Sequence, residues 1–277
     1  AGYPLSPDAE LTMELNPGTV NEDKLNEYLK LGFNRFSVGA QTFNATHLKR
    51  VHREHSVIDT IESLKLLKRY NLNYNFDLLF GMPHQTVAEL DHDLSQALEI
   101  LPPHISPYYL TVPEGHPLSK NRPLEDDQMV MFERIEQTLS QNGYNRYEIS
   151  NYARPGYESK HNYLYWSDHN YWGIGLSSHS YLRQGEGAPW GHRFWNPNNI
   201  KIYQQEIAEL KTLESPTQLA DIYFETLKEN QSLTDFCHTS LRRAKGLILS
   251  DLENKFSGPS LTRVYKELDN LKERGLV

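Results

Sequence analysis

Strand-like and helix-like runs alternate along the first 115 residues, and this alternation constrains the fold more than any other feature. "LTMEL" (11–15) is a short apolar run closed by Asn16-Pro17-Gly18. A helix then follows with Asn21 as cap, Leu25, Tyr28 and Leu29 on one face, and Gly32 as stop. "FNRFSVGAQ" (33–41), "YNFDLLFG" (74–81) and "HISPYYLTV" (104–112) are the next strands. "VIDTIESLKLLKRY" (57–70, after Ser56) and "VAELDHDLSQALEIL" (87–101, after Thr86) are the helices between them. Strand and helix in strict alternation imply right-handed crossovers and a parallel sheet. The expected fold is α/β, a closed or partial (β/α) barrel, with an open doubly wound sheet as the alternative.

Parallel strands covered on both faces read as apolar runs. These do not: Glu14 interrupts the first, Gln41 ends the second and Asp77 lies inside the third. An unpaired buried carboxylate costs several kcal/mol, so three polar interruptions in neighbouring strands point to a ligand site. Near the C-terminal ends of barrel strands they would meet at the mouth, where barrels bind ligands. Arg53, in "VHREH", would bring positive charge there. The alternative is an internal hydrogen-bond network without a ligand. His52 and His55 are three residues apart, which is weak evidence for a metal site without a carboxylate in register.

The second half differs. "EDDQMVMFERIEQTLSQNG" (125–143) reads as a helix with acidic residues in its first turn. An aromatic-rich region covers 144–195, and residues 201–230 return to helix. Two amphipathic stretches follow, "LTDFCHTSLRRAKGLILSDLENKF" and "SLTRVYKELDNLKERG", the second with Leu261, Val264, Tyr265, Leu268 and Leu271 in one stripe. They suggest a small winged-helix-like module that packs without touching DNA. The expected divisions are 1–115, 116–200 and 201–277. There is no internal repeat. The start, without an initiating Met, and the end at "ERGLV" read as those of a fragment.

A net charge of −8 argues against nucleic acid and against an anionic membrane surface. No run of ~18 apolar residues is present. The single cysteine, Cys237, allows no intrachain disulfide, fits a cytoplasmic setting and excludes a metal site built from several cysteines of this chain.

Many of these motifs in one order resemble a known family. "MELNPGTV", "GFNRFSVGAQTF", "REH", "FDLLFGMPHQT", "HISPYYLTV", "GYNRYEISNYARPGYESKHNYLYW" and "YWGIGLSSHSY" look like the radical SAM family of oxygen-independent coproporphyrinogen III oxidases, and most like its HemW branch of haem chaperones. The resemblance implies a partial (β/α) barrel with a [4Fe-4S] cluster and S-adenosylmethionine. By motif, Glu14, Gln41, Arg53 and Asp77 match cofactor-contacting positions, and Thr111 and His179 match positions near the adenosyl part. "HNYLYW" (161–166) matches the HNxxYW signature associated with haem: His161 as candidate iron ligand, Asn162 beside it, Tyr165 and Trp166 as flat faces for the macrocycle. The alternative is a packed aromatic corner with a hydrogen-bonded His161.

The resemblance also implies a CxxxCxxC loop, which these residues lack together with the first barrel strands, so the barrel is expected to be its C-terminal part. Two motifs depart in detail: "LTVPEGH" reverses the usual Glu-Pro order, and "GLSSHS" places Leu176 and Ser177 where small residues are usual. The implied function is haem binding and delivery to a haem-accepting protein, membrane-associated or otherwise. Oxidative decarboxylation of coproporphyrinogen III is the alternative. Hydrolysis by Glu14 and Asp77 as paired carboxylates and a bare ligand-binding module are more distant readings.

Overall fold

The computed structural model describes residues 5–185, 187–209 and 223–277. They fall into two compact units, one ending at Ser159 and the other beginning at Lys160.

The first unit contains β1 (Thr12–Leu15), α1 (Glu22–Lys30), β2 (Arg35–Gln41), α2 (Ala45–Arg50), α3 (Val57–Arg69), β3 (Asn73–Phe80), α4 (Val87–Ile100), β4 (His104–Tyr109), α5 (Glu125–Gln141), β5 (Asn145–Glu148) and β6 (Asn151–Ala153). Its sheet runs β1-β2-β3-β4-β6-β5. The first four strands are parallel, and the β5–β6 hairpin is added antiparallel to β4. Neither this hairpin nor α2 was legible. Both are short, and their residues read as part of an aromatic region and of a loop.

The helix starts follow the cap residues. Asn21 accepts from the Lys24 N–H at 2.9 Å, and Ser56 and Thr86 each close a capping box with the acidic residue three positions on, Asp59 and Glu89. One face of the sheet packs on α1, α3, α4 and α5. Phe36, Val38, Phe76, Leu78 and Ile105 are fully buried there with Leu25, Leu64, Leu67, Leu90 and Leu139. The opposite face of the same strands is polar. A doubly wound sheet would be apolar on both faces, so this one-sided pattern selects the partial barrel.

The second unit contains α6 (Lys160–Trp166), β7 (His179–Leu182), β8 (His192–Trp195), α7 (Ile200–Glu209), β9 (Phe224–Thr226), α8 (Glu229–Arg242), α9 (Leu249–Lys255) and α10 (Gly258–Glu273). The strands form an antiparallel sheet, β7-β8-β9. The helix expected over 201–230 needs correction. Phe224–Thr226 is a strand because it completes the ladder with His192–Phe194, a long-range pairing that local periodicity does not contain. Residues 210–222 lie outside the described residues. The tail is helical, and its first amphipathic stretch breaks at Gly246, where φ is +66°. Leu233, Phe236, Leu252 and Phe256 form its core, with Trp190 stacked on Phe256 at 5.6 Å. Among the described residues, no helix is long and apolar enough to cross a membrane.

Candidate functional site

Side chains alternate along a strand, so the residues that leave Phe36, Phe76 and Ile105 in the core put their neighbours on the opposite face. In register across the sheet, Glu14 pairs with Ser37, Ser37 with Asn75 and Asn75 with His104. One step toward the C-terminal ends, Asp77 pairs with Ser106. The result is a polar inner face. Asn75 Nδ2 donates to Ser37 Oγ at 2.9 Å, Asp77 Oδ1 at 3.2 Å and Ser106 Oγ at 3.4 Å.

Glu14 and Asp77 share this face closely enough for their charges to interact. Burial first, and the Glu14 carboxylate second, push Asp77 up to about 6, against the opposing pull of Ser106, Arg35 and Arg53. Glu14 itself is exposed on the edge strand β1, which corrects the expectation of three buried interruptions. Gln41 is buried at 5% exposure and Asp77 is half-buried.

At the end of β2 the backbone makes room for side chains. A Cβ on Gly39 would lie 3.2 Å from Gln41 Nε2 and 3.8 Å from both Arg53 Nη2 and Asn16 Oδ1. Arg53 Nη1 donates to Asn16 Oδ1 at 3.2 Å. The chain turns here with Gln41 at φ +68°. His55 places Nε2 3.3 Å from the Ala40 carbonyl, so this imidazole braces the same strand end. Thr111 is exposed beyond the end of β4. Asn16, Ser37, Asn75 and Ser106 escaped the sequence reading. The signal was present for the last three, since they share the period-two register of Glu14 and Asp77.

The inner face also holds hydrogen-bonding atoms without a protein partner. Among the described residues, Thr12 Oγ1, Asn75 Oδ1 and His104 Nδ1 are buried and lack one, and Arg35 Nε has only the Glu10 carboxylate at 3.9 Å, beyond hydrogen-bond reach. Arg35, Asn75 and His104 are each at most 4% exposed. Burying such groups is unfavourable unless something polar satisfies them.

The remaining candidates belong to the second unit. His161 is exposed on α6, its ring edge-on to Tyr165 at 4.8 Å. Tyr165 meets Tyr171 at 4.5 Å. Trp166 lies beneath the Arg242 guanidinium at 4.3 Å, so one of its faces is already covered. Asn162 is half-buried on the same helix. His179, on β7, is exposed and stacked on Trp195 at 5.8 Å.

Residues 4–97 match the radical SAM superfamily. The heme chaperone HemW of Bacillus subtilis (strain 168) is 31% identical over 99% of this chain, which covers 71% of that protein. The chain belongs to the HemW family of radical SAM proteins. The heme chaperone HemW of Escherichia coli (strain K12) is 42% identical over 68% of the chain, and the chain spans about half of that relative's length (50%). The solved structure of Escherichia coli coproporphyrinogen III oxidase (HemN), described as a radical SAM enzyme, superposes with a TM-score of 0.74 over 97% of this chain and 63% of that one. At 19% identity this establishes a shared fold.

A radical SAM fold implies two groups, and these residues fit them unequally. The inner face suits a zwitterionic, hydroxyl-rich nucleotide: charges of both signs, orphaned buried donors and acceptors, and the glycine at position 39 where polar side chains meet. The cluster does not fit, because its thiolate ligands require several cysteines and the only cysteine here is Cys237, half-buried on α8 with its thiol pushed up by burial. Anaerobic reconstitution of these 277 residues with iron and sulfide is therefore expected to give no stoichiometric cluster by metal and sulfide assay. A full complement of both in the desalted protein would contradict this.

Proposed function

We propose that this chain is part of a haem chaperone of the HemW type, which binds haem around His161 and S-adenosylmethionine on the polar inner face of its partial barrel. In this reading Glu14, Gln41, Arg53 and Asp77 hold the cofactor, with Thr111 toward its adenosyl part. A [4Fe-4S] cluster would take its cysteines from outside these residues. Haem is cargo, handed to an accepting protein. A cytoplasmic setting agrees with the single cysteine. The divisions 1–115, 116–200 and 201–277 are proposed as the radical SAM partial barrel, the remaining barrel with the aromatic region, and a helical C-terminal domain. Coproporphyrinogen decarboxylation is not favoured, since the relatives at 31% and 42% identity are named as chaperones.

The observation that supports haem binding is the exposed imidazole of His161 within "HNYLYW", set edge-on to Tyr165. A neutral imidazole is a common axial ligand to haem iron. A macrocycle laid against Tyr165 gains roughly 25 cal/mol per Å² of apolar area removed from water. Trp166, already covered on one side by Arg242, has only its other side to offer. Haem titration followed by absorbance tests the reading. A shifted Soret band is expected in the parent chain, and His161→Ala should move or weaken it while far-UV circular dichroism stays the same. An unchanged spectrum and affinity in His161→Ala would remove His161 as ligand.

A further inference from the structure

The turn that presents Gln41 is held from behind by a carboxylate that no ligand on the inner face would touch. Asp93, on α4, is fully buried. Its Oδ2 accepts from Thr42 Oγ1 at 2.7 Å, and its Oδ1 accepts from the Phe43 backbone N–H at 2.7 Å. Thr42 Oγ1 in turn accepts from the Asn44 N–H at 3.0 Å. One carboxylate thus organises the three residues directly after Gln41.

A second tie joins the same loop to the same helix. Asn44 Nδ2 donates to Glu89 Oε1 at 3.1 Å, and the buried His47 places Nε2 3.3 Å from Glu89 Oε2. Packing alone gives no reason for Asp93. Its neighbours Leu90, Leu94 and Ala97 fill the core, and an apolar side chain would do the same without the cost of burying a charge. That cost is visible as burial lifting Asp93 to about 6 despite its two hydrogen bonds. The need lies in the turn. Gln41 has a left-handed backbone, which a residue with a Cβ adopts only when its surroundings enforce it.

We infer that Asp93 is a positioning residue for the ligand of the inner face, fixing the Gln41–Phe43 turn so that the Gln41 side chain is aimed at Gly39, Asn16 and Arg53. This rests on the reading of that face as the S-adenosylmethionine site. Asp93 acts through the loop and touches no ligand.

The test uses the whole chain, with S-adenosylmethionine as probe in calorimetry and the Gln41 side-chain amide signal as a second readout by NMR. Asp93→Ala is expected to weaken binding by about tenfold or more and to shift the Gln41 amide signal. Asp93→Asn still accepts from Phe43 and can donate to Thr42, so it should recover most of the affinity. Leu94→Ala opens a cavity one residue along α4. It should lower the melting temperature comparably, yet leave affinity within about twofold and the Gln41 signal in place. Equal behaviour of Asp93→Ala and Leu94→Ala in both readouts overturns the inference. Should Asp93→Ala fail to fold, Thr42→Val removes one of the two bonds and is expected to cost several-fold in affinity; unchanged affinity and an unmoved Gln41 signal overturn the inference. If the parent chain itself binds no S-adenosylmethionine, the reading of the face fails. The Gln41 signal then decides alone: a shift in Asp93→Ala but not Leu94→Ala sustains the positioning role, and no shift ends it.

Discussion

Asp168→Ala is expected to destabilise the second unit by about 3–5 kcal/mol, the range for removing one partner of a buried ion pair. Asp168 follows α6, and its side chain is 10% exposed. Its carboxylate holds Lys255 Nζ at 2.8 Å through both oxygens, the Tyr181 hydroxyl at 2.6 Å and Arg183 Nε at 3.0 Å. Lys255 is 4% exposed at its side chain and sits among the rings of Tyr181, Phe236 and Phe256. Burial lowers its ammonium below the usual lysine range even with Asp168 beside it. Without Asp168 that ammonium would stay buried with the neutral Tyr181 hydroxyl at 3.2 Å and only the weaker attraction of Asp235 to offset its charge. Lys255→Met should cost much less, because its flexible apolar stem fits the same rings and Asp168 keeps Tyr181 and Arg183. The double variant should recover part of the loss in Asp168→Ala. All four tryptophans belong to this unit, so denaturant unfolding followed by tryptophan fluorescence reads it separately. A loss below about 1 kcal/mol in Asp168→Ala would mean that the cluster behaves as a solvated surface pair.

Asp77→Asn should make the first unit more stable at neutral pH and less able to bind its ligand. The folded protein raises Asp77 from 3.8 to about 6, first through burial and then through Glu14. The native state therefore holds this proton over a pH range in which the unfolded chain has lost it. The associated stability is present below about pH 4 and is lost as pH rises through about 6. Over that window the loss is on the order of 2 kcal/mol, since each tenfold change in proton affinity is worth ~1.4 kcal/mol and water still reaches this half-buried group. An asparagine amide carries no charge to bury, and its carbonyl can still accept from Asn75 Nδ2, which Asp77 Oδ1 now does at 3.2 Å. Urea unfolding of parent and variant should show a gap in favour of Asp77→Asn at pH 7 that closes by about pH 4. Calorimetry should show weaker binding of S-adenosylmethionine by the variant. A stability gap that does not change with pH would place the cause outside the titration of Asp77. A residue that costs stability at neutral pH is the common pattern for groups that serve a ligand.

How much of this was legible can be judged from single residues. Asn21, Ser56 and Thr86 marked helix starts correctly because capping is local: the side chain bonds an N–H two or three residues on. Glu14 and Asp77 stood out because charge in a strand of a sheet covered on both faces interrupts an otherwise apolar run. The motif order and the aromatic "HNYLYW" run indicated the family, which the likeness to HemW relatives established. β6 and β9 were not legible, since each exists through a ladder to residues distant in sequence, such as Ile105 with Tyr152 and Phe194 with Phe224, and β5 is a four-residue edge strand paired with β6. Asp93 looked like one more polar residue on a helix. That it faces inward, onto the loop after Gln41, depends on how α4 rotates against the sheet. Asp168 and Lys255 are 87 residues apart, and no spacing rule joins them. The sequence by itself determined the parallel βα order, the limits of α1, α3, α4 and α5 and the chemical character of the inner face, because caps, periodicity and polarity act over a few residues. Only the tertiary structure decided which polar groups became buried partners and which Gln41 turn they enforce, because burial and ion pairing depend on distances that the chain sets only once it has packed.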